Sequence, residues 1–273
     1  MKLFYVMGGG LGHLYRVYTF IQQTGLTDFA ILTNNPLAVK FFLPEEIIPV
    51  QGKTQVEVVR SIQSFIRLLK YDELYIDTFP AGLFGELVLP GNRRTIYLAR
   101  RLKWKTYQSV MKPDHMQLDE TIYFEALEPE HEEFVRAVSA RLSGFILHYP
   151  VPHPERVPVH LLPKEKPLWL IVHSFDKEEV LYLLQYAQDI ARIEKQEPAF
   201  IVLSDQPLDH PEVYFWFPAC DWFPLADRIF TGGGFNVLQQ TASFIQKITA
   251  IPFPRQYDDQ AWRIQQLAKQ AIH

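Results

Sequence analysis

The chain has 273 residues, 48% of them hydrophobic, and a formal net charge of −4, which fits one large domain or two of modest size with ample core. The acidic balance argues against a nucleic-acid-binding surface, and the single cysteine, Cys220, rules out an internal disulfide and suits a reducing cytoplasm. No segment approaches the roughly 20 apolar residues that span a bilayer, and the apolar start breaks at Gly8, short of a secretion signal's core.

In chain order, apolar runs predict strands at 2–7, 28–33, 46–50, 73–77, 94–99, 121–126 and 143–148. Between them, His13 to Gln23, Gln55 to Leu69 and Glu130 to Arg141 read as helices. The second of these places Val56, Val59, Ile62, Phe65, Ile66 and Leu69 on one face. From 150 to 167 the prolines Pro150, Pro152, Pro154, Pro158, Pro163 and Pro167 block helix and central strand alike, and the stretch reads as a linker. Beyond it, strands are expected at 168–173, 199–203, 213–217, 227–231 and 248–251. Helices are expected at 177–194, 220–225, 235–246 and 259–271. Alternation of strand and helix implies parallel sheets covered on both faces. The expected domains are 1–150 and 166–273, with the last helix free to return to the first.

Two glycine clusters follow apolar runs. Gly8-Gly9-Gly10-Leu11-Gly12-His13 ends the first strand, and Thr231-Gly232-Gly233-Gly234-Phe235-Asn236 ends a later one. Glycine permits a sharp turn and close approach of a ligand, and a helix start offers unpaired N–H groups to an anion. Two such junctions suggest two α/β halves facing a shared cleft. Asn236 and Gln240, four apart on one helix face, are placed to reach a phosphate or ribose. A polar loop, Arg255-Gln256-Tyr257-Asp258-Asp259-Gln260, follows the strand at 248–251, where open sheets bind ligands. Capping of the last helix by Asp258 or Asp259 is the plainer explanation of that loop, and it is compatible with ligand contact.

Thr-Gly-Gly-Gly-Phe-Asn-Val-Leu-Gln-Gln at 231–240, with Ile-Pro-Phe-Pro-Arg-Gln-Tyr-Asp-Asp-Gln at 251–260, resembles the donor-binding region of GT-B glycosyltransferases. The nearest group contains the peptidoglycan N-acetylglucosaminyl transferase. The loop Gly9, Gly10, Gly12 and His13 resembles that family's N-terminal glycine loop, and Asp77-Thr78-Phe79-Pro80 the end of a later strand. The resemblance implies a fold of two Rossmann-like domains with mainly parallel sheets, and metal-independent, inverting transfer of a hexose or N-acetylhexosamine. It implies a UDP-linked donor, no other cofactor, and donor contacts from Gly232, Gly233, Gly234, Asn236, Gln240, Gln256, Asp259 and Gln260. The chain departs from the pattern where Gln240 replaces a glutamate, where Val237 replaces a hydroxyl residue, and where His173-Ser174-Phe175-Asp176 stands in place of a second glycine-rich turn.

An inverting transferase needs a base for the acceptor hydroxyl. His13 is the candidate, since its ordinary pKa suits proton transfer near neutrality, and Asp77 is the substitute. No Asp-x-Asp motif occurs, and no metal is expected. The dinucleotide fingerprint fails, because His13 or Tyr15 falls where its last glycine belongs. A sugar-nucleotide 2-epimerase and a non-catalytic nucleotide-sugar or glycan-binding relative remain as alternatives. Arg93, Arg94, Arg100, Arg101, Lys103 and Lys105 form a basic run. It raises the expectation of an anionic or lipid-linked acceptor, with peripheral contact to the cytoplasmic face of a membrane. A solvated face is its plainer reading.

Overall fold

The computed structural model describes residues 1–89, 91–111, 116–174, 176–210 and 212–270. The chain forms two compact units. One comprises Met1–His148 with Gln256–Asp259, and the other Tyr149–Arg255 with the residues from Gln260 on.

Unit 1 holds a seven-stranded sheet, all of its pairings parallel, in the order β3-β2-β1-β4-β5-β6-β7. The strands are β1 (Lys2–Tyr5), β2 (Phe29–Thr33), β3 (Ile47–Pro49), β4 (Glu73–Asp77), β5 (Arg94–Ala99), β6 (Glu120–Tyr123) and β7 (Leu142–Gly144). The helices of this half are α1 (Gly12–Thr24), α2 (Gln55–Leu68), α3 (Trp104–Gln108) and α4 (Pro129–Val138). Local chemistry sets their ends. Gly25, at φ 65°, closes α1 in the left-handed region, and Thr54 with Glu57 forms a reciprocal capping box that opens α2. Leu3, Tyr5, Leu32, Ile62, Leu74, Ile76 and Tyr97 share one core cluster.

Unit 2 holds a five-stranded parallel sheet in the order β10-β9-β8-β11-β12. Its strands are β8 (Leu168–Val172), β9 (Ala199–Leu203), β10 (Val213–Tyr214), β11 (Arg228–Gly232) and β12 (Ile248–Ile251). Its helices are α5 (Lys177–Glu194), α6 (Phe235–Gln240) and α7 (Gln260–Gln270). Asp176 caps α5 by accepting from the amides of Glu178 and Glu179. Strand β8 shows why its sequence is apolar without alternation. Leu168, Leu170 and Val172 enter one core cluster with Trp222 and Phe223, while Trp169 and Ile171 enter the other with Val180, Leu183 and Phe230. Successive side chains point to opposite faces and both faces are covered.

Two expectations about organisation meet a different arrangement. The proline-rich stretch belongs to unit 2. It forms short 3-10 turns at Pro154–Arg156 and Val159–Leu161, buries Val157 against the unit 2 core, and ties His153 N–H to Asp221 at 2.8 Å. The segment thus packs on the unit 2 core through Val157, Leu161 and Leu162. Helix α7 also packs in unit 2, whereas the four residues before it belong to unit 1. The glycine at 233 explains the helix's place: a side chain there would meet Gln260 and Ile264 within 3 Å. The predicted helix at 235–246 is shorter, because the chain tightens into a 3-10 turn at Ala242–Lys247.

Candidate functional site

In each sheet the strand order reverses beside the strand that enters first. In unit 1 the reversal lies between β1 and β4, since β1 pairs with β2 on one side and β4 on the other. Carboxyl ends of strands at such a point form the usual ligand site of an open α/β sheet, because the connections leave in opposite directions and open a crevice. His13 follows β1 and Asp77 ends β4. The fold therefore brings to one point two residues 64 apart in sequence: His13 Nδ1 lies 2.6 Å from Asp77 Oδ2.

Asp77 is fully buried and receives Arg16 through Nε at 2.9 Å and through Nη2 at 2.6 Å to each carboxylate oxygen. Burial alone would raise its pKa. The Arg16 charge, followed by the bond from His13, outweighs burial and holds the carboxyl at about 2. An ionised Asp77 accepts from Nδ1–H of His13, which leaves Nε2 as the free lone pair. Burial lowers the His13 pKa and the Asp77 bond opposes it, with a net direction downward. His13 is thus a neutral imidazole at pH 7, oriented by a carboxylate.

The ring is positioned by its neighbours. Gly8 has φ 139°, and a Cβ there would come within 2.8 Å of His13 Cδ2 and Nε2, so the glycine loop passes directly beneath that edge of the ring. Asn35 donates to Gly10 O at 2.6 Å and Asn34 Oδ1 accepts from Gly8 N at 3.2 Å, which pins the loop to the end of β2. Gly9 is exposed in the same loop and Gly12 at the start of α1. Phe79 stacks on the imidazole at 5.7 Å.

Thr78 sits at φ 68°, an uncommon conformation for a β-branched residue. Its hydroxyl donates to Asp77 Oδ2 at 3.1 Å and accepts from Arg16 at 2.6 Å and Arg100 at 3.3 Å, while its carbonyl accepts from Tyr97 Oη at 2.7 Å. Such over-determined strain is a frequent companion of functional sites.

The basic run is largely paired. Arg94 meets Glu73 and Glu120, Arg100 meets Asp258 at 2.8 Å, Arg101 meets Asp259 at 3.0 Å, and Lys105 meets Glu130. Arg100 and Arg101 are buried. With the Leu102–Asp258 bridge and the Lys103 N–H to Tyr257 O bond, these pairs hold 256–259 against unit 1. Two of the residues expected at the donor are therefore found there: Asp259 on Arg101, and Gln256 donating to Tyr257 Oη at 2.9 Å.

The other residues expected at the donor lie in unit 2. Strand β11 ends in Gly232 and turns at Gly233-Gly234 into α6. The Gly233 N–H is shared by Ile251 O at 3.2 Å and Gln260 Oε1 at 3.1 Å, and Gln260 Oε1 also accepts from Phe253 N. Gln260, buried at 6% exposure, thereby latches the glycine turn to the start of α7. Asn236 Oδ1 accepts from Tyr149 Oη at 2.8 Å, and Gln240 donates to Asn236 O within its own helix. Gly234 is open: a Cβ there meets only Val237, at 3.7 Å.

Sequence reasoning missed Arg16, although its place three residues after His13, on the same helix face, was a usable signal. It read Arg100 within a surface run and had no means to foresee the Thr78 backbone.

No family model matches the chain, and no curated protein matches it in sequence. Solved structures do match it in shape. The Streptomyces sp. SF2575 glycosyltransferase SsfS6, complexed with thymidine diphosphate, superposes with a TM-score of 0.57 at 12% identity, over 99% of this chain and 85% of that one. MurG from Acinetobacter baumannii gives 0.52 at 14%, over 98% and 84%. The chain has the GT-B fold. A UDP-N-acetylglucosamine 2-epimerase from Rickettsia bellii is similar too, with a TM-score of 0.51 at 12% identity, over 99% and 87%, so the GT-B fold is shared here by transferases and an epimerase. Among the described residues no helix is long and apolar enough to cross a membrane, and no group of three or more His, Cys, Asp or Glu could hold a metal ion.

Proposed function

We propose that the protein transfers a hexose or N-acetylhexosamine from a nucleoside diphosphate to an acceptor hydroxyl, with inversion at the anomeric carbon. The observation that carries this reading is the His13–Asp77–Arg16 arrangement at the switch point of unit 1. In this mechanism His13 Nε2 takes the proton of the acceptor hydroxyl as its oxygen attacks the anomeric carbon. The bond from that carbon to the diphosphate breaks, and the leaving group departs with the electron pair. Asp77 stabilises the imidazolium that forms, and Arg16 keeps Asp77 ionised throughout. The turn at Gly232–Gly234, open at Gly234, is the donor side in this reading, with Asn236 and Gln240 beside it. The reaction is read as metal-independent, since no Asp-x-Asp motif occurs in the chain.

The test is a panel of UDP- and TDP-linked hexoses and N-acetylhexosamines with hydroxyl acceptors, following release of the nucleoside diphosphate and the product's anomeric configuration by NMR. Transfer with inversion, reduced about 100-fold or more by His13→Gln, is expected. Exchange of the C2 hydrogen with solvent deuterium, without transfer, would make the protein an epimerase. Binding without turnover across the panel would make it a nucleotide-sugar-binding protein.

A further inference from the structure

Unit 2 has its own point of strand reversal, between β8 and β11, since β8 pairs with β9 on one side and β11 on the other. Thr231 pairs with Val172, so the next residue on each strand, Gly232 and His173, stand side by side at the carboxyl ends. His173 Nε2 lies 2.6 Å from Glu179 Oε2, on the first turn of α5, and Glu179 is in turn gripped by Arg255 through both oxygens. The side chain of His173 is 11% exposed. Its Cε1–Nδ1 edge passes over Gly232, where a Cβ would come within 3.1 and 3.2 Å of those atoms, and Phe253 covers the ring at 5.1 Å. Among the described residues Nδ1 has no hydrogen-bond partner.

The neighbouring turn has lost one of its donors for an anion. The Gly233 N–H is already engaged by Ile251 and Gln260, Val237 offers no hydroxyl, and α6 has only six residues. We propose that His173, oriented by Glu179, supplies the missing donor: its Nδ1–H contacts a diphosphate group seated at the carboxyl ends of β8 and β11. The assignment rests on the nucleotide-sugar reading for the identity of the ligand, but the chemistry it names is that of a diphosphate.

The geometry gives the site a pH signature. The charged groups facing His173 are Glu179 from α5 and Asp176 that caps it, which favour the imidazolium, and Arg255 from the segment after β12, which opposes it. Burial outweighs these and keeps the ring's pKa low when no anion is bound. A neutral ring bonded through Nε2–H to Glu179 presents Nδ1 as a lone pair. A diphosphate therefore binds together with one proton, which the anion's own charge stabilises on the ring.

The experiment is calorimetric titration of inorganic pyrophosphate, UDP and TDP into the whole protein between pH 5.5 and 8.5, with NMR of the His173 Cε1–H. Wild type should take up a proton on binding, lose affinity as pH rises, and show the His173 titration moved upward by pyrophosphate. His173→Phe, which keeps the ring's volume against Phe253, should weaken all three ligands about 10- to 100-fold and remove the pH slope. Glu179→Gln should flatten the slope while retaining part of the affinity. Unchanged affinity in a His173→Phe protein of wild-type melting temperature overturns the proposal. So does a His173 signal indifferent to pyrophosphate in wild type, a measurement that needs no variant to fold, and so does the absence of pyrophosphate and nucleotide binding. If His173-dependent binding is found but no sugar is transferred from any donor, the diphosphate site stands and the transferase reading alone fails.

Discussion

Replacing Asp77 by asparagine should destabilise unit 1 severely and remove a defined part of its acid sensitivity. Holding the buried carboxyl at about 2, against its ordinary 3.8, corresponds to about 2 kcal/mol of stability. Because the folded value is depressed, that contribution is fully present above about pH 4 and disappears as pH falls toward 2. Asp77→Asn forfeits it at every pH and leaves Arg16, 2% exposed, without its carboxylate. Breaking a buried pair in this way costs about 3–5 kcal/mol. Replacing both partners, as Arg16→Met with Asp77→Asn, removes the stranded charge and should recover at least about 1 kcal/mol of that loss. The assay is native-state hydrogen exchange at the amides of β1 and β4, which reads unit 1 by itself in a chain of two units. Wild type should lose about 1.5 kcal/mol more protection than Asp77→Asn between pH 5 and pH 2.5. A single variant within about 1 kcal/mol of wild type at pH 7, or one that keeps the full pH dependence, would refute the claim that this ion pair organises the site.

The downward shift of His13 predicts that the acidic limb of kcat/KM has its midpoint below 6.5, the ordinary imidazole value, with the rate rising as His13 loses its proton. A midpoint above 6.5 would point to a different base. Gly8→Ala should cut turnover about tenfold or more, since the added methyl falls within 2.8 Å of the His13 ring at a φ of 139°; crystallography or the His13 NMR signal reads the displacement. Gln260→Ala removes the acceptor of two amides, Gly233 and Phe253, and should cost about 1–3 kcal/mol in chemical denaturation. Asp258→Ala with Asp259→Ala deprives the buried Arg100 and Arg101 of their carboxylates and should raise proteolytic cleavage within 254–259; unchanged cleavage would mean the strap is held by its backbone bonds alone.

Most of the architecture was written locally. Strand β8 was recognisable because a parallel strand covered on both faces must be apolar at every position, and α5 because Asp176 supplies its cap and Val180, Leu183, Leu184 and Ala187 its buried stripe. The two glycine junctions announced the ends of β1 and β11 for a steric reason that needs no partner. Weaker local signals were misjudged: α3 was not anticipated, and the prolines at 150–167 were read as a linker, since a proline forbids regular structure whether or not the segment packs.

By itself, then, the sequence determined two runs of alternating strand and helix, the glycine turns that end β1 and β11, and a histidine and an aspartate each placed at the end of a strand. Those features depend on hydrophobic period, capping and backbone sterics within a few residues. Only the tertiary structure decided which strands are neighbours. That choice set His13 against Asp77 and His173 beside Gly232, drew Arg16 onto the carboxylate, and turned Arg100 and Arg101 inward to Asp258 and Asp259. Each of these pairings joins residues far apart in the chain, and an ion pair's energy is a function of distance and burial, neither of which a sequence states.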